Sequence, residues 1–114
     1  MSDCIFCRII NKEAPARIVH EDETSLAFED IHPQAPVHIL VIPKKHIPAL
    51  DKAPSGSEEL LGHLLLVARD LARAKGVAAG GYRLVVNNGP NAGQAVDHLH
   101  VHLLGGRPMS WPPG

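Results

Sequence analysis

The sequence predicts an α+β fold: a mostly antiparallel sheet of about five strands, one long helix and a short N-terminal helix. Three observations predict it. A single long stretch, residues 58–75, carries apolar residues at helical spacing. The β-rich runs elsewhere are short and separated by turn formers rather than by further helices, which favours hairpin connections. A chain of 114 residues with no internal repeat or linker makes one domain, residues 1–114.

Taken in order, residues 4–11 (CIFCRIIN) place Ile5, Phe6, Ile9 and Ile10 at a spacing that suits a short amphipathic helix ending before Pro15. Residues 17–20 and 25–29 flank Glu21-Asp22-Glu23 as a hairpin. Residues 30–36 (DIHPQAP) form a loop, because Pro33 and Pro36 remove ladder donors and restrict the residues before them. Residues 38–42 (HILVI) are almost continuously apolar and read as a central strand stopped by Pro43. In the long helix Leu60, Leu61, Leu64, Leu65, Ala68, Leu71 and Ala72 form one stripe, Ser55 and Glu58 fit a capping box, and Gly76 fits a C-terminal stop. His63 on that helix reads as a surface or boundary histidine. Residues 82–87 (YRLVVN) are β-rich, residues 87–94 are dense in turn formers, and residues 98–104 form a last strand closed by Gly105-Gly106. The tail, residues 107–114, has three prolines in eight positions and carries the only tryptophan, Trp111, so it is irregular.

Composition narrows the partners. The formal charge is −1 and the basic residues are scattered apart from Lys44-Lys45, which excludes the footprint of a long nucleic acid. No apolar run reaches the roughly 20 residues needed to cross a bilayer, and no basic segment followed by a hydrophobic one opens the chain. A cytoplasmic protein with no membrane partner is expected. In a reducing compartment the Cys4-x-x-Cys7 pair reads as half a metal site or a redox pair before it reads as a staple, and no strand precedes it as a thioredoxin-like motif would require.

The chemistry concentrates in His98-Leu99-His100-Val101-His102-Leu103-Leu104. On an extended strand the three imidazoles line one face and Leu99, Val101 and Leu103 the other, so the histidine row is expected to face a cleft. Such a row serves as three zinc ligands, as three satisfied surface imidazoles, or as a nucleophile with its helpers. The preceding loop, residues 87–94, brings two glycines and the amides of Asn87, Asn88, Asn91 and Gln94, but lacks the Lys and Ser/Thr of a magnesium-triphosphate cradle. It suits a single phosphoryl group held by neutral donors. A neutral imidazole is a competent nucleophile toward phosphorus near pH 7, and His100, with a histidine on each side, is the best placed.

These residues resemble the histidine triad (HIT) superfamily of nucleotide hydrolases and transferases, whose signature His-φ-His-φ-His-φ-φ matches residues 98–104. Phe28-Glu29-Asp30-Ile31, Pro33-Gln34-Ala35-Pro36, His38, Ile42-Pro43-Lys44-Lys45-His46, the 87–94 loop, Gly105-Gly106-Arg107 and Trp111-Pro112-Pro113-Gly114 are similar to the HINT branch, so the resemblance runs from Cys4 to Gly114. It implies a homodimer that hydrolyses the P–N bond of purine-nucleoside phosphoramidates, releasing AMP or GMP, with no magnesium or other catalytic cofactor. His100 is then the nucleophile, with His98, His102 and His38 around it. Ile5, Phe6, Ile9, Phe28 and Ile31 sandwich the base, Asp30 takes the ribose hydroxyls, Asn87, Gly93 and Gln94 hold the phosphate, and Ala95 lies beside them in the nucleotide site. The tail with Trp111 lies near the partner's site.

Three residues depart from the branch. Ala95 replaces a serine hydroxyl, Ala14 a larger aliphatic at the base pocket, and Asp97 an aromatic. In many microbial relatives a Cys-x-x-Cys pair completes a structural zinc site, which here implies Cys4, Cys7, His46 and His98. Three other readings remain: a dinucleoside polyphosphate hydrolase of the same superfamily, a nucleotide-binding scaffold with negligible turnover, and a zinc-binding regulator built on the triad itself.

Overall fold

The computed structural model describes residues 3–114. A short helix α1 (Ile5–Ile10) opens the chain, followed by strands β1 (Ile18–Glu21), β2 (Ser25–Glu29) and β3 (Val37–Pro43). Helix α2 (Glu58–Ala74) comes next, then β4 (Tyr82–Val85) and β5 (Val101–Gly105). The strands form one sheet in the order β1-β2-β3-β5-β4, and every neighbouring pair is antiparallel. This is the α+β architecture that the spacing of apolar residues predicts.

The near-continuous hydrophobicity of β3 has a physical reason, since the central strand is covered on both faces. Ile39 and Val41 join Ala27, Leu99, Val101 and Leu103 in a core under α2, which contributes Leu64, Val67, Ala68, Leu71 and Ala72. Each fully buried aliphatic side chain of this kind stabilises the fold by roughly 1.5–3 kcal/mol. Leu40 and Ile42 point the other way and pack with Leu26 and Phe28 against Phe6 and Ile9 of α1. The functional side chains grow from this second, thinner face.

Gly76 ends α2 as expected. Its φ is 76°, its N–H reaches the Arg73 carbonyl at 3.1 Å, and the Val77 N–H reaches Ala72 at 3.0 Å, the bond pattern of a left-handed helix stop. The expected capping box does not form. Ser57, not Ser55, is the N-cap, and its hydroxyl donates to the Pro54 carbonyl rather than to the helix. His63 is half-buried and its Nε2 lies 2.7 Å from Asp22 Oδ2, with His20 Nε2 at 2.8 Å from the same oxygen. Burial acts to raise the Asp22 pKa, but these hydrogen bonds, with those from the Thr24 N–H and the Ser25 hydroxyl, hold the carboxyl well below the ordinary carboxylate range. The knot ties the β1–β2 turn to α2.

Candidate active site

The last strand begins later than expected, at Val101, so that His98, Leu99 and His100 approach it in irregular backbone. Side-chain alternation survives, and Leu99, Val101 and Leu103 all enter the α2 core. The histidines do not all face one cleft, however. His98 is wholly buried and turns toward the N-terminal cysteines, while His100 and His102 line a cavity of about 470 Å³. The reason lies in α1, whose Phe6 packs edge-on to both rings, with centroids 5.8 Å from His98 and 5.3 Å from His100.

Strand register assembles the polar wall of the cavity. Phe28 and His102 both pair with Leu40, from opposite sides of β3, so their side chains share the α1 face. His38, two residues before Leu40, is the diagonal neighbour of His102, and its Nε2 stands 2.9 Å from His102 Nδ1. Asp30, just beyond β2, places Oδ2 3.5 Å from His38 Nε2 and accepts the His32 N–H at Oδ1.

Backbone groups determine where the protons sit. The Gln34 N–H donates to His38 Nδ1 at 3.0 Å, so neutral His38 carries its proton on Nε2 and donates it to His102 Nδ1. Neutral His102 therefore carries its own proton on Nε2. His100 Nδ1 lies 2.7 Å from the His98 carbonyl oxygen, which accepts only a donor, so neutral His100 keeps Nδ1–H and leaves the Nε2 lone pair unprotonated. Burial lowers the His102 pKa to about 4, helped by His100 and His38 and opposed by Asp30. Burial likewise lowers that of His38, against the pull of Asp30.

The rest of the cavity is largely apolar. Ile5, Phe6, Ile9, Ala14, Phe28, Ile31 and Ala95 line it, with Asp30, Glu29 and His32 as further polar side chains. Ile31 stands at the rim, 83% exposed. Leu40 and Val96 line it as well, and were not singled out from the sequence. Leu40 was accessible to reasoning, because it shares the strand face of His38; Val96, in an irregular loop, carried no periodic signal. Asn87, Gly93 and Gln94 are not among the lining residues. Gln94 is engaged within its loop: Oε1 accepts the Gly89 N–H at 2.8 Å and Nε2 donates to the carbonyls of Pro48 and Val96. Trp111 is 82% exposed on the tail and does not reach the cavity of its own chain.

The other side of His98 is a second constellation. Cys4, Cys7, His46 and His98 bring their ligand atoms within 4.8 Å of one another. Individual S···N distances are 3.4, 3.3 and 3.6 Å, and the two Nδ1 atoms are 3.1 Å apart. Tetrahedral zinc, at about 2.3 Å from sulfur and about 2.0 Å from nitrogen, demands S···N edges of about 3.5 Å and N···N edges of about 3.3 Å. The donor set and spacing fit that ion. His98 Nε2 donates to the Pro43 carbonyl at 2.8 Å, which leaves Nδ1 as the bare ligand atom, the outer-shell arrangement that metal-bound histidines use.

Comparison with known proteins agrees with this geometry. A family model for the HIT domain matches residues 11–109. The chain belongs to the HIT domain family. It is 56% identical to an uncharacterized HIT-like protein of Synechocystis sp. over 112 residues, 98% of this chain and 97% of that one. Among solved structures, a HIT family hydrolase from Legionella pneumophila superposes with a TM-score of 0.96 at 52% identity, covering 98% of this chain and 100% of its own. A zinc-bound histidine triad family protein from Mycobacterium smegmatis superposes with a TM-score of 0.82 at 35% identity, covering 92% of this chain and 76% of its own. Among the described residues of this HIT domain no helix is long and apolar enough to cross a membrane.

Proposed function

We propose that this HIT domain is a purine-nucleoside phosphoramidate hydrolase that cleaves the P–N bond through a nucleotidyl intermediate on His100. One observation carries the reading: the Nδ1–H of His100 is engaged by the His98 carbonyl, so the lone pair of Nε2 is available beside a cavity of nucleoside size. The apolar walls formed by Phe6, Ile9 and Phe28 suit a purine, and Asp30 is placed to accept from the ribose hydroxyls.

The reaction follows as two displacements. His100 Nε2 bonds to the α-phosphorus as the P–N bond breaks, and the nitrogen leaves as an amine after taking up one proton. His102 Nε2–H donates a hydrogen bond to that nitrogen, and solvent supplies the proton it takes up. Water then bonds to phosphorus and gives a proton back to solvent, and His100 departs with its electron pair, releasing the nucleoside monophosphate. No step calls for magnesium. A zinc ion held by Cys4, Cys7, His46 and His98 would serve structure, cross-linking α1 to the segment before β5. The tetrahedral fit of the four ligand atoms supports that assignment.

We assign the working form as a homodimer. β4 is an edge strand, and Leu50, Leu65 and Val86, each more than a third exposed, surround one apolar depression that a second copy would cover. The test of function is multiple-turnover release from a fluorogenic adenosine phosphoramidate without added magnesium, alongside His100→Ala. Fast release by the native chain alone is expected; equal slow release from both proteins overturns the reading.

A further inference from the structure

The Cys/His cluster and the nucleophile are joined by one residue. His98 enters the cluster through Nδ1, and its backbone carbonyl receives the Nδ1–H of His100 at 2.7 Å. A second link runs through α1. Cys4 is the N-cap of this helix, and its sulfur accepts the Cys7 N–H at 3.4 Å. Two residues on, Phe6 lies edge-on to His100 with ring centroids 5.3 Å apart, and to Phe28 at the same distance. The helix is only six residues long, below the length at which helices are stable on their own, so its placement depends on what fastens it.

We infer that Cys4, Cys7 and His46 are positioning residues for His100, acting through a tetrahedral cation that fastens the His98 backbone and α1 together. With the ion in place, the His98 carbonyl is held where it keeps the proton of His100 on Nδ1, and Phe6 is held where it closes the base cavity. Without it, α1 is held mainly by the packing of Phe6, Ile9 and Ile10 against the sheet, and the irregular backbone of residues 98–100 is held at Leu99, whose N–H donates to the Ile47 carbonyl at 2.7 Å, and by the bond from His98 Nε2 to Pro43. Cation occupancy thus sets both the proton position on the nucleophile and the affinity for the nucleoside. The inference rests on the zinc assignment above but not on the identity of the leaving group.

The test uses histidine-15N-labelled full chain, loaded with one equivalent of zinc or stripped by chelator, and the His46→Ala variant, chosen because His46 is exposed and its loss leaves the core intact. Long-range 1H–15N spectra read the proton position and solvent exchange of His100, calorimetry reads AMP affinity, and far-UV circular dichroism checks that the sheet and α2 persist. Zinc loading is expected to slow exchange of the His100 Nδ1–H and to tighten AMP binding, each by about tenfold or more. Both effects are expected to be reversed by stripping, restored by zinc and weakened in His46→Ala. Zinc that binds without moving either readout overturns the inference and leaves the metal assignment standing. A native chain that takes up no zinc overturns both. Neither result touches the phosphoramidate reading, which the His100→Ala assay decides separately.

Discussion

Acidification is expected to destabilise the protein in a way that can be traced to His102. Its pKa falls from 6.5 to about 4 on folding, chiefly because burial penalises the charged ring. Between those two values the unfolded chain binds a proton that the folded chain refuses, so stability rises with pH through this window. The contribution is complete above pH 6.5, and it is lost as pH falls toward the folded value. Each pH unit inside the window is worth about 1.4 kcal/mol, so moving from pH 6.5 to pH 5 removes about 2 kcal/mol through this one group. His98 and His38 are lowered in the same direction, and the native slope will exceed the share of His102 alone. A His102→Asn variant isolates that share, because asparagine stays neutral throughout. Urea unfolding followed by circular dichroism at pH 7.5, 6.0 and 5.0 should show the two proteins converging by about 2 kcal/mol as pH falls. A stability difference that stays constant across this range would refute the claim that His102 is held neutral by its surroundings.

Other consequences follow from packing and from the cavity. A Cβ added at Gly105 would stand 2.8 Å from Val77 Cγ2 and 2.9 Å from Val77 Cβ, so Gly105→Ala is expected to lower stability by about 1–3 kcal/mol. Guanidinium melts should show most of that loss recovered when Val77→Ala is added, and simple additivity of the two substitutions would count against the contact. Asp30→Asn is expected to weaken AMP binding by roughly tenfold, the scale of a hydrogen bond to a charged acceptor, while leaving binding of a 2′,3′-dideoxy analogue nearly unchanged. Calorimetry with both ligands checks it, and an equal loss for each would remove Asp30 from the ribose.

Local patterns carried most of the fold. The alternation of His98, His100 and His102 with Leu99, Val101 and Leu103 was legible because it needs only extended backbone. The helix stripe was legible because α2 buries one face. The different fate of His98 was not readable from that alternation alone. Its burial depends on Cys4, 94 residues away, and on the packing of Phe6 against the ring. Nor could the proton positions be read, since they are set by main-chain groups, the Gln34 N–H and the His98 carbonyl, which leave no side-chain signature. The capping pattern at Ser55 and Glu58 failed for a local reason, because the chain enters α2 through Ser57 with its hydroxyl committed to Pro54. The Gln94 amide has the chemistry of a phosphate donor, but it is used to close its own loop.

The account stands or falls on which atom bonds to phosphorus. Quenching the protein during turnover of an adenosine phosphoramidate, then mapping its peptides by mass spectrometry under alkaline conditions that preserve P–N bonds, locates the nucleotidyl group directly. The account predicts one adduct, on His100, absent from the His100→Ala chain. An adduct on His102 or His38, or undiminished turnover with no adduct on any histidine, would contradict it.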